Sequence, residues 1–293
     1  MTMEADVKTF WEKDAAEHMG FAYQYGKNPD VRYPMYEVRR ELVFQTLDAI
    51  PKGRILDAGC GAAHVLEECL ERGWDGYGFD FADGMIELAK KGLTAHGHDS
   101  ERVRVGLMSD MSHYAAESFD VVLLLGVSQY LMEEDDDAIW SGIHRILKPN
   151  GIVIIDFVNA LFDLTTFNKF TVKFAANEVL PLFFPQERVA ELEERISKLV
   201  TYPNKPDTTG LYSTRRDHIR KRTENPLTVA ERMSTHKFEI ADNRFFRFHA
   251  VPPLLFESDP ELEKVAIEKE GVLAHHWIGN FIASAFLTTL RKA

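Results

Sequence analysis

Cysteine is scarce in this chain. Its 293 residues hold only Cys60 and Cys69, with no C-x-x-C pair, so neither a disulfide framework nor a zinc site is indicated. Long apolar runs are missing too. No stretch of about eighteen uncharged apolar residues occurs, which excludes an expected spanning helix. The first ten residues are polar and acidic and lack the apolar centre of a secretory signal. We therefore expect a cytoplasmic protein with no membrane partner. Positive charge is also in deficit. Lys and Arg number 34 against 46 Asp and Glu, a formal charge of -12, and a phosphate backbone calls for the opposite balance. No nucleic-acid partner is expected. Internal repeats and low-complexity tracts are absent.

What is present is an ordinary globular composition, with 45% hydrophobic and 27% charged residues. The length suits one large domain or one domain with a substantial insertion. A helix is expected near 6–18, then irregular chain to Pro34. Val38, Leu42, Val43, Leu47 and Ile50 recur at helical spacing, and Pro51-Lys52-Gly53 ends that helix. Strands are then predicted at 54–57, 74–79, 103–107, 119–125 and 152–157. Helices fall between them at 63–72, 84–91 and 138–146. Continuous apolar runs between amphipathic helices are what a parallel sheet covered on both faces requires. Beyond residue 159 the alternation breaks. A helix over 186–199, a Pro-bearing loop and a basic run follow, then two strands at 238–248 and 279–290.

Asp57-Ala58-Gly59-Cys60-Gly61 links the first predicted strand to the first predicted helix. Glycine there allows a sharp turn and a close approach of backbone to ligand. The N–H groups at the following helix start favour an anion. A dinucleotide fingerprint would need glycine at position 64, which is His64, so a nucleotide-binding oxidoreductase is disfavoured. Asp57, two places before the first glycine, suits a ligand with an ammonium group. Asp80 ends the second predicted strand and can accept from both hydroxyls of a ribose; its other role would be a helix N-cap.

Ile55-Leu56-Asp57-Ala58-Gly59-Cys60-Gly61, followed by Gly78-Phe79-Asp80-Phe81-Ala82-Asp83-Gly84, resembles the class I S-adenosylmethionine-dependent methyltransferases. The likeness continues through Ser109-Asp110-Met111, Ser118-Phe119-Asp120-Val121-Val122 and Leu147-Lys148-Pro149-Asn150-Gly151. It covers roughly residues 40–158, with Ala63 in the usual third glycine place. The resemblance implies a Rossmann-like α/β fold with a seven-stranded sheet, helices on both faces and the last strand antiparallel. It implies S-adenosylmethionine as cofactor and S-adenosylhomocysteine as product, with no metal. Gly59, Gly61 and Gly126 would face the methionyl part, Asp80 the ribose and Phe81 the adenine. Asp110 would accept from the adenine amino group, and the Met111 backbone would meet the ring nitrogen.

This divides the chain into an N-terminal lid segment (1–35), a cofactor-binding core (36–159), an inserted substrate cap (160–237) and C-terminal strands completing the sheet (238–293). The partner expected is a small-molecule acceptor, methylated at a hydroxyl or an amine. An alcohol acceptor benefits from a general base, and His249 beside Pro252-Pro253 is the candidate; its alternative is a packed structural histidine. The run 214–222 carries Arg215, Arg216, Arg220 and Arg222. It is either a solvated face or a clamp for a phosphate or carboxylate, which would favour an anionic sugar or nucleotide-sugar. The acidic run 133–137 is expected to be a solvated helix start. From another functional class, a noncatalytic S-adenosylmethionine-binding sensor or partner subunit would carry the same loop.

Overall fold

The computed structural model describes residues 3–18, 35–200, 222–252 and 260–293. After two helices, α1 (Met3–His18) and α2 (Met35–Asp48), the chain alternates through β1 (Arg54–Ala58), α3 (His64–Glu71), β2 (Asp75–Asp80), α4 (Asp83–Ala95) and β3 (Val103–Val105). It continues through β4 (Phe119–Leu124), α5 (Asp136–Ile146) and β5 (Leu147–Val158). The seven-stranded sheet has the order β3-β2-β1-β4-β5-β7-β6, where β6 is Phe238–Phe248 and β7 is Ala283–Lys292. The first five strands are parallel. β7 runs antiparallel to both of its neighbours, with Asp156 opposite Leu287 and Phe245 opposite Phe286. This is the expected Rossmann-like sheet.

The apolar run of β4 serves two cores because side chains alternate across a strand. Val122 and Leu124 join Leu56, Trp140 and Ile143 on one side, while Val121 and Leu123 join Val43, Leu47 and Ile55 beneath α2 on the other. Arg54 and Asp75 lie in register at the opening of β1 and β2. Among the boundaries that differ from expectation are two strand starts. β5 begins at Leu147, because the Lys148–Gly151 turn is pushed out of a strand that resumes its pairing at Ile152. The last strand begins at Ala283, since Gly279–Ile282 forms a helical turn first.

Residues 160–200 form short helical pieces, among them α6 (Lys169–Phe174) and α7 (Gln186–Leu199). Their root is Asn159, whose buried amide donates to the carbonyls of Gly279, Asn280 and Ala283. After α8 (Val229–Thr235) and β6, α9 (Pro260–Leu273) covers the end of that edge strand. The buried Glu270 carboxylate accepts from the N–H groups of Arg247 and Phe248, both at 3.0 Å. An otherwise open strand edge is thereby satisfied.

Candidate active site

Between β1 and β4 the strand order reverses, and open α/β sheets hold ligands outside the strand ends at such a point. A cleft of about 940 Å³, counted out to its mouth, lies there. Its floor is built of glycine. Gly59, Gly61 and Gly126 all line it and all have positive φ (82°, 51° and 72°). A Cβ on Gly59 would stand 2.4 Å from Val127 Cγ1. The loop is held by β2, since the N–H groups of Gly59 and Cys60 both donate to the Phe79 carbonyl (2.8 and 2.9 Å).

Asp80 is buried but lines the cleft. Its carboxylate accepts from Gly61 N–H (3.0 Å) and Ala82 N–H (2.9 Å). Burial raises its pKa above the usual carboxylate range, and the backbone bonds from Ala82 and Gly61 work against that. The carboxylate thus ties the glycine loop to the turn before α4, whose N-cap position falls to Ala82. The backbone at Phe81 also bonds to Asp80, and Phe81 itself lines the cleft. Asp80→Ala is expected to weaken S-adenosylhomocysteine binding by about ten- to a hundredfold, the loss of ~1.5–3 kcal/mol in charge-assisted bonds. Asp80→Asn separates loop support from charge. Unchanged affinity in a folded Ala variant, measured by calorimetry, would remove Asp80 from the site.

Asp57 lies under the floor rather than in it. It is 3% exposed, and burial raises its pKa to about 7, with the Arg39 guanidinium partly offsetting this and Asp80 adding to it. Asp110 and Met111 do not line the cleft among the described residues; Gly106, Leu107, Met108 and Ser109 do. The cause is local. The Asp110 carboxylate turns back to accept from Ser112 N–H (2.9 Å). Met111 is buried against Gly142, and its carbonyl accepts from Arg145 (2.6 Å).

The opposite half of the cleft is walled by Val7, Trp11, Tyr130, Leu131, Met132 and Ile139. Trp11 meets Tyr130 edge-on at 5.9 Å between ring centroids. Helix α1 is seated by Glu12, whose carboxylate accepts from the N–H groups of Asp83 (2.7 Å) and Gly84 (2.9 Å) at the start of α4. The preceding residue Ala82 offers α4 no side-chain cap, so Glu12 does that work from a distant part of the chain. These wall residues escaped the sequence reading; the aromatic interleaving of 1–35 was the available signal for Trp11.

His249 is placed elsewhere. It packs on Phe162 with ring centroids 4.7 Å apart, does not line the cleft, and burial pushes its pKa down to about 3. So weak a base is ill suited to proton abstraction near neutral pH. Packing, the alternative, is what the structure gives it. Arg215, Arg216 and Arg220 lie outside the described residues. Arg222 forms a bidentate pair with Asp136, at 2.7 Å on both arms, with Arg232 on the same carboxylate at 3.2 Å. In the acidic run 133–137 at the start of α5, Glu133, Glu134 and Asp137 are exposed as expected, while Asp136 is paired. No Lys, Arg or His lines the cleft among the described residues, and no group of three or more His, Cys, Asp or Glu there could hold a metal ion. Arg222→Ala leaves a largely buried carboxylate with Arg232 as its remaining described cation, so we expect a loss of about 1–2 kcal/mol in a denaturant titration, with cofactor affinity unmoved. A stability equal to the parent's would mean the pair contributes nothing.

The residues fit S-adenosylmethionine: a glycine floor with no room for Cβ at Gly59, a carboxylate at the end of β2, and an apolar seat beyond it. Residues 56–155 match the methyltransferase domain family. An O-methyltransferase of ubiquinone biosynthesis from Hahella chejuensis is 26% identical over 114 residues, which are 38% of this chain and 45% of that protein. The chain spans about half the length of the curated relatives it matches. Among solved structures, the magnesium protoporphyrin IX methyltransferase of Synechocystis PCC 6803, with bound S-adenosylhomocysteine, aligns at TM-score 0.55 and 13% identity over 100% of both chains. The geranyl diphosphate C-methyltransferase of Streptomyces coelicolor A3(2) aligns at TM-score 0.53 and 12% identity, covering 100% of this chain and 99% of that one. At such identities these two show the fold. No helix among the described residues is long and apolar enough to cross a membrane. Taken with the glycine floor and Asp80, the matched stretch identifies residues 56–155 as a methyltransferase domain of the class I, S-adenosylmethionine-dependent kind.

Proposed function

We propose that this chain transfers a methyl group from S-adenosylmethionine to a neutral, largely apolar small molecule. One observation carries the reading: the glycine floor and Asp80 share a single cleft with an apolar and aromatic wall. S-adenosylmethionine supplies a methyl carbon on a sulfonium, open to in-line displacement. The protein's part is then to align the acceptor and exclude water, and positioning alone can supply much of the rate. Trp11, Tyr130, Leu131 and Met132 suit that part.

The acceptor suggested by the basic run, an anionic sugar or nucleotide-sugar, is less well supported. Burying an anion without a partner costs several kcal/mol, and the described lining offers it Asp80 and Asp135 instead of a cation. The test is product formation, followed as S-adenosylhomocysteine release, with neutral phenols and aliphatic alcohols or amines set against phosphorylated sugars. Turnover only with phosphorylated sugars would overturn the acceptor assignment. Tight S-adenosylhomocysteine binding with no turnover on any acceptor would favour the noncatalytic binder, and no binding at all would sink the cofactor reading.

A further inference from the structure

Asp135 stands at the N-cap of α5, where an aspartate side chain ordinarily accepts from a backbone N–H two or three residues on. It makes no such bond. Among the described residues no hydrogen bond or ion pair holds its carboxylate, and the half-buried side chain lines the cleft instead.

Its neighbours fix its place there. Met132 comes three residues earlier and Ile139 four later, and both stand in the wall opposite the glycine floor. Asp135 and Ile139 lie one helical turn apart, on the same face. Trp11 and Tyr130 supply the aromatic part of that wall. Asp80, the other carboxylate lining the cleft, is bonded by the N–H groups of Gly61 and Ala82 at the end of β2. An apolar and aromatic seat thus contains one carboxylate that no described residue engages.

Before an acceptor enters, water solvates that carboxylate. A bound acceptor displaces the water. A wholly hydrocarbon molecule would then leave the charge facing apolar surface with no partner, which is costly. A molecule that brings an O–H or N–H donor replaces one hydrogen bond by another, and bonds to a carboxylate are roughly twice as strong as those between neutral groups. Sites built around such a bond reject the analogue that lacks the donor.

We propose that Asp135 selects the acceptor by holding a hydroxyl or N–H donor on an otherwise apolar molecule. This deepens the acceptor reading given above and rests on it. The cap that α5 forgoes is what leaves the carboxylate turned to the cleft.

Phenol, aniline and toluene test this, because they present O–H, N–H or methyl on the same ring. Each is titrated by NMR into protein saturated with S-adenosylhomocysteine, for the parent and for Asp135→Leu. The affinity ratios of phenol to toluene and of aniline to toluene should be at least about tenfold higher in the parent than in the variant. Comparing ratios cancels the differing hydration of the probes. S-adenosylhomocysteine itself should bind Asp135→Leu within about twofold of the parent. Asp135→Ala, judged by the same ratios, replaces a Leu variant that does not fold. Ratios unchanged in a folded variant overturn the proposal. So does a parent that binds none of the three probes, or a folded variant that loses S-adenosylhomocysteine, which would put Asp135 in the cofactor's seat. Failure of the parent to bind S-adenosylhomocysteine overturns the cofactor reading itself.

Discussion

Gly59→Val is expected to abolish measurable S-adenosylhomocysteine binding, an affinity loss of more than about a hundredfold. Two costs coincide at this position. The backbone φ of 82° is one that a β-branched residue adopts only under strain. The new Cβ would also stand 2.4 Å from Val127 Cγ1, on a loop whose other face lines the cleft. The chain must shift, and the floor moves with it. Cys60→Ala is the natural comparison, because Cys60 keeps its N–H bond to Phe79 whatever its side chain and its thiol is pushed well above its ordinary pKa by burial. It should bind within about threefold of the parent. Calorimetry on both variants, with circular dichroism to confirm folding, decides the matter. Binding by Gly59→Val within tenfold of the parent, or greater damage from Cys60→Ala, would move the cradle away from this loop.

The second large effect concerns Asp57 and pH. Its carboxyl titrates near the usual 3.8 in an unfolded chain and at about 7 in the folded one, mainly through burial. The folded state therefore binds this proton more tightly. Stability contributed by the group is full at low pH and is lost as pH rises from about 4 through about 7, by an order-of-magnitude 4 kcal/mol. Asp57→Asn removes the charge and keeps the shape. The ligand-free variant should gain on the parent progressively from pH 5 to pH 8 in urea titrations. Taking the difference between the two proteins matters, because His249 opposes the trend: its depressed pKa makes the fold lose stability as pH falls below its ordinary range. The same substitution should weaken S-adenosylhomocysteine most at high pH, where the parent's Asp57 is ionised and attracts the ammonium from beneath the floor. A difference in stability that stays flat across this range would show that Asp57 titrates as an ordinary carboxylate.

The sheet was legible because its signals are local. Five strand-like runs, three of them followed by a turn and an amphipathic helix, specify parallel strands with little help from elsewhere. The antiparallel end was legible only through family resemblance, since nothing local in 238–248 or 283–292 tells which neighbour each strand takes. In the site, the glycines and Asp80 stand within a few residues of a strand end, where spacing fixes position. Asp110 shows how quickly that precision decays. It comes five residues after β3, and one side-chain bond to Ser112 is enough to turn its carboxylate away. Trp11 and Tyr130 reach the cleft from two distant parts of the chain, so no spacing along it announces their meeting. His249 was misplaced by similar reasoning. Being near the end of a strand on the correct side of the sheet does not give access when Phe162 lies against the ring.

The place of β7 between β5 and the edge strand β6 has a consequence for how the molecule is made. β5 is an interior strand of the sheet, yet the strand that covers its open flank, opposite Asp156, is built around Leu287. More than a hundred residues intervene, and closing so long a loop must precede any reward from the contact. Until then the buried run Ile152–Ile155 is a sheet border with unpaired backbone, a template for the same border of another chain. A fragment ending after β5 would hold the whole matched domain and all three floor glycines, and would still be expected to self-associate through that border. During synthesis the window of exposure lasts until β7 has emerged, so growth temperature and chaperone supply should govern the soluble yield more than any substitution in the cleft.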